Sequence, residues 1–128
     1  MAEHGEAIRR YLSFHPQQFA VFDKLKLYQK STGGKPAHIL CLELWLRTSQ
    51  SEYDDSRRLH LSFENVSSLK IHPRGFIQIS LLEITPIKEY QWENLKYRIS
   101  DIEENQIFFY CNLFEANIVE AEETRSNV

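Results

Sequence analysis

The chain has 128 residues, 42% hydrophobic and 26% charged, with four Gly, four Pro and a net charge of −3. That length makes a single domain, residues 1–128, which buries roughly two-thirds of the surface of its unfolded chain, so no disulfide or metal staple is required. The charge disfavours a general nucleic-acid binder, and no apolar run approaches the ~20 residues that span a bilayer.

In chain order, Ala7, Ile8, Tyr11 and Leu12 fall at helical spacing, which predicts a short helix over 5–13 that Pro16 stops. Glu3, Glu6, Arg9 and Arg10 interrupt any continuous apolar core in the first twenty residues, so no secretory leader is expected and the default compartment is cytoplasmic. Residues 18–29 are mixed and apolar, and the alternation of Lys24 and Lys26 with Leu25 and Leu27 makes at least their second half a strand. Ser31, Thr32, Gly33, Gly34, Lys35 and Pro36 form the clearest turn signal and predict a hairpin between 24–30 and 37–47.

In that second strand Leu40, Leu42, Leu44 and Leu46 share one face, while Ile39, Cys41, Glu43 and Trp45 share the other. A strand apolar on both faces is expected to be central and covered on both sides. Residues 48–58 are polar and predict an exposed loop. Leu59, Leu61 and Phe63 then alternate with His60, Ser62 and Glu64. His72, Pro73, Arg74 and Gly75 mark a turn between 69–71 and 76–84, where Ile77, Ile79 and Leu81 alternate before Leu82 and Ile84 change phase, as a bulge would allow. Pro86 is expected to interrupt the ladder, and 90–93 is a polar and aromatic connection. Leu95, Tyr97 and Ile99 form another row, 103–106 a tight turn, 107–111 a two-sided interior strand, and Phe114, Ala116 and Ile118 the last buried row. Seven or eight strands without a βαβ rhythm make a mainly β protein, or α+β with one short helix. The expected form is an antiparallel sandwich or a curled, barrel-like sheet.

The charge is asymmetric. Residues 1–100 hold 14 Lys/Arg against 11 Asp/Glu, whereas 101–128 hold Arg125 against seven acids. An acidic end favours a basic protein partner, and residues 120–128 read as a solvated flexible tail.

No spacing carries chemistry. His4, His15, His38, His60 and His72 form no chelating pair at i, i+4 or i, i+2. Cys41 and Cys111 make no CxxC and sit in apolar strands, where a thiol acts as a small buried hydrophobe, with a disulfide as the rival. Asp54 with Asp55 and Glu103 with Glu104 lie in expected loops, where a carboxylate is solvated and not poised for acid–base work. Gly33, Gly34 and Lys35 precede a proline and a strand and so do not form a phosphate loop. The expectations are therefore no catalytic residue, no cofactor and no metal. Trp45, Tyr90 and Trp92 remain as aromatic anchors for a protein partner, because they bury large area with few rotatable bonds.

Leu61, Ser62, Phe63, Glu64, Asn65 and Val66, then Gln91, Trp92 and Glu93, then Tyr97, Arg98 and Ile99, then residues 107–111, resemble a pattern in small bacterial proteins of the kind grouped with immunity proteins of polymorphic toxin systems. The resemblance covers 59–118 and implies a β-rich bacterial binding protein. It carries over no catalytic residue. The sequence thus predicts a non-enzymatic protein-binding module, immunity-like or accessory, without nucleic-acid or membrane partners. Two other expectations stand beside it: a β-barrel or sandwich that binds a small apolar ligand in its interior, and a homodimer that covers the apolar second face of 39–46.

Overall fold

The computed structural model describes residues 2–35, 37–48, 56–72, 81–87, 96–101 and 106–120, with side chains from residue 5 onward. Ala2–Ser13 forms helix α1, which starts three residues before the apolar spacing predicts. Its last turn tightens into i→i−3 bonds, from Phe14 to Tyr11 and from His15 to Leu12. His15 then takes a left-handed conformation (φ 57°) that leads into a single 3₁₀ turn at Pro16–Gln18.

Strands β1 (Val21–Ser31) and β2 (His38–Arg47) form the predicted hairpin. The Thr32 amide donates to the Ala37 carbonyl at 2.8 Å, and Gly33 supplies the positive φ of 76° that the turn requires. Six further strands follow: β3 (Arg57–Glu64), β4 (Ser67–Ile71), β5 (Leu82–Pro86), β6 (Tyr97–Asp101), β7 (Ile107–Cys111) and β8 (Leu113–Glu120). The described residues thus hold eight strands in two antiparallel sheets, ordered β1-β2-β3-β8 and β4-β7-β6-β5. This is the mainly β, sandwich-like fold that the alternating rows predict.

The two sheets share one ribbon. β3 pairs with β8 in the first sheet, and β4 pairs with β7 in the second. Only Asn65 and Val66 separate β3 from β4, and only Asn112 separates β7 from β8. Asn65 adopts a left-handed φ of 60°, a conformation its short polar side chain tolerates. The Asn112 amide donates to the Glu64 carbonyl and the Val66 amide to that of Leu40, both at 2.9 Å, so the corner stays hydrogen-bonded. The paired strands therefore bend together from one sheet into the other. A bulge between Ser67 and Lys70, with Ser68 at φ 56°, adds to the bend.

Pro86 departs from its expected role. It lies within β5, paired with Tyr97, and does not break the ladder. Among the described residues β5 is the outer strand of its sheet, the position where a missing N–H is tolerated. The predicted turns at 73–75 and 103–105, the row Ile77–Ile79 and the loop carboxylates fall outside the described residues.

The inner rows meet as predicted. Leu42, Leu44, Leu59, Leu61, Phe63, Ile99 and Phe109 are fully buried. Phe63 meets Phe109 edge to face at 4.8 Å, and Phe114 meets Tyr97 edge to face at 4.9 Å. These rings pack against one another between the sheets. Helix α1 packs along β8, and the Tyr11 hydroxyl donates to the Leu82 carbonyl of β5 at 2.5 Å, which ties the helix to both sheets. Burial pushes the Tyr11 phenol well above its ordinary pKa and keeps it a donor.

Candidate functional site

The outer face of the first sheet concentrates the polar and aromatic chemistry. Residues paired across antiparallel strands share a face. The register sets Lys24 beside Trp45 and Trp45 beside His60, with Lys26 beside Glu43 and Tyr28 beside Cys41 in the following rows. Leu42, Leu44 and Leu46 point inward from β2, so all of these side chains turn away from the core.

Glu43 is the centre of the face. It accepts a hydrogen bond from the Tyr28 hydroxyl at 2.8 Å, and its other oxygen accepts one from His60 Nε2 at 2.8 Å. An ionised carboxylate only accepts, so the contact requires the His60 proton on Nε2. Glu43 and His60 are about one-fifth exposed. Burial opposes ionisation of Glu43, but the bonds from His60 and Tyr28 and the charges of His60 and Lys26 outweigh it and hold the carboxyl below its ordinary range. The hydrogen bond to Glu43, then partial burial, pushes the Tyr28 phenol up to about 12.

Trp45 lies between two partners. Its ring is 4.7 Å from the His60 ring at a tilt of 33°, and the Lys24 ammonium stands 4.5 Å above it. Lys26 stands 5.1 Å over the Tyr28 ring. At the margins of the face Lys30 pairs with Glu64 at 2.8 Å and Arg58 pairs with Asp23 at 3.0 Å. The expectation that β2 is covered on both faces is corrected here. Cys41 is buried, but Ile39, Glu43 and Trp45 are only half-buried, because neighbouring side chains cover them and no second layer of described residues does.

Other sequence-predicted positions are accounted for in part. Tyr90 and Trp92 fall outside the described residues. Cys41 and Cys111 are both free and buried, and desolvation pushes both thiols above their ordinary pKa, the state of inert core cysteines. Among the described residues no group of three or more His, Cys, Asp or Glu could hold a metal ion. No described helix is long and apolar enough to cross a membrane. An open groove of about 980 Å³ runs between α1 and β8, where Arg10 donates to the Ala116 carbonyl and the Asn117 side chain.

Sequence reasoning singled out Trp45 but missed Tyr28, Glu43 and His60 as its companions. Their signal was present as outward positions of alternating strands, yet only the cross-strand register brings them together. The face is a polar and aromatic surface, hydrogen-bonded at its centre and cationic along β1. Among the described residues it is an open surface of donors, acceptors and rings, with Ser62 opposite Glu43 in register. No curated protein and no solved structure matches the chain significantly. A family model described as immunity protein PIM8 matches residues 3–117, from α1 into β8. The chain belongs to that immunity protein family.

Proposed function

We propose that this protein neutralises a toxin by binding it, without catalysis, and that the outer face of the first sheet is the surface it uses. The observation that carries the reading is the Lys24–Trp45–His60–Glu43–Tyr28 array. Trp45 is held by contacts on both sides, so little side-chain entropy is lost when a partner covers it. Tyr90 and Trp92 join Trp45 as proposed anchors on sequence grounds alone. The acidic balance of residues 101–128 supports a basic region elsewhere on the same toxin. Action in the cytoplasm by a single domain with a solvated end beyond β8 completes the proposal.

The test is calorimetric titration with the toxin domain that this immunity protein accompanies. Trp45→Ala is expected to weaken binding by about 2 kcal/mol or more, the scale of a central aromatic anchor. Unchanged affinity in a folded Trp45→Ala variant would remove this face from the interface.

A further inference from the structure

The free edge of β1 carries a second, more specific message about the partner. β1 ends the first sheet, paired with β2 on one side and with no described strand on the other. It runs for 11 residues, enough to template another strand. Its inward row, Leu25 and Leu27, is 40% and 47% exposed, although the leucines it pairs with, Leu44 and Leu42, are fully buried. Its outward row is Lys24, Lys26 and Lys30 around Tyr28, all turned to the face described above. Lys24 and Lys26 rest on aromatic rings and not on carboxylates.

We propose that β1 accepts an extended segment of the toxin, added as a fifth strand, in which acidic and apolar side chains alternate. The proposal rests on the toxin-binding reading above. An added strand must place one row over Leu25 and Leu27 and the other beside the lysines, so its rows must be apolar and acidic in turn. Charge complementarity selects this occupant over a second copy of the chain. Antiparallel pairing of β1 with itself, with Leu25 opposite Leu27, would set Lys26 opposite its own copy and Lys24 opposite Tyr28. Like charges directly opposed are destabilising. A shift by one residue would instead set lysines against leucines. A homodimer paired through this edge is therefore disfavoured.

The probe is an N-acetylated, C-amidated heptapeptide that alternates Glu and Val, compared with its counterpart that alternates Lys and Val. Titration of the isotope-labelled protein by NMR is expected to move the amides of Leu25, Leu27 and Gln29 with the Glu peptide and to leave them in place with the Lys peptide. Lys24→Glu combined with Lys26→Glu is expected to weaken the Glu peptide by about tenfold or more and to admit the Lys peptide. Both residues are exposed, and because Lys26 stands beside Glu43 the double variant is first checked for a parent-like fold by its amide spectrum. Equal response to the two peptides, or none of the β1 amides moving at millimolar Glu peptide, overturns the proposal. A concentration-dependent dimer whose exchange protection maps to β1 does so as well. Because the peptide test does not use the toxin, its failure leaves toxin binding standing, and failure of the toxin to bind is seen separately.

Discussion

The two faces of strand β2 are built on opposite logics. Inward, Leu42, Leu44 and Leu46 repeat one residue type and are at most 1% exposed. Outward, Cys41, Glu43 and Trp45 share no chemistry with one another, and each has a specific neighbour on β1 or β3. The inner row stabilises by area removed from water, which is indifferent to the identity of the leucine's neighbour so long as the volume is filled. The outer row depends on geometry between unlike groups. Stability and recognition thus sit on the two sides of one strand, and a change on either side is expected to show in a different measurement.

The sharpest separation comes from Phe63→Ala. It removes a ring that contacts Phe109 and Phe114 in the core and is expected to cost about 3–5 kcal/mol in denaturant unfolding. Tyr11→Phe comes next. It leaves the buried Leu82 carbonyl without its donor and is expected to cost about 1–3 kcal/mol, with α1 the first element to lose hydrogen-exchange protection. Trp45→Ala, by contrast, should change the unfolding midpoint far less than either while it weakens the toxin complex. A loss of stability as large as that of Phe63→Ala would erase the distinction between the faces.

The smallest effect concerns pH. The folded Glu43 carboxyl lies below its unfolded value, so its share of stability is complete above the unfolded pKa, about 4.3. That share is lost as pH falls through the folded value. Glu43→Gln should therefore differ from the parent in stability near neutrality and converge with it in strong acid. An unchanged gap between the two proteins down to pH 2 would show that Glu43 is not held by Tyr28 and His60 as described.

The inner face was legible in the sequence because a period of two reports burial without any knowledge of which strands pair. Leu59, Leu61, Phe63, Tyr97, Ile99, Phe114 and Ala116 all lie where their alternation puts them. The hairpin at 31–37 was legible from Gly33, whose backbone freedom has a local cause. Pro86 was misjudged because its effect depends on whether β5 is an outer strand, a property of the whole sheet. The outer array was hidden for the same reason. Glu43 and His60 lie on different strands, and nothing in either segment states that residue 45 meets residue 60. Of the three aromatics expected to matter, Trp45 gained named partners, while Tyr90 and Trp92 lie outside the described residues.

The ribbon folded at Asn65 and Asn112 has a consequence for how the protein comes into being. Arg57 of β3 pairs with Glu120 of β8, so each sheet waits for chain made long after its first strand. Pairings of such high contact order close slowly, because loop entropy is lost before the contacts form. During synthesis β3 leaves the ribosome with one side unpaired, and the inner row of Phe114 and Ala116 arrives last. The first sheet is thus completed only after β8 has been made.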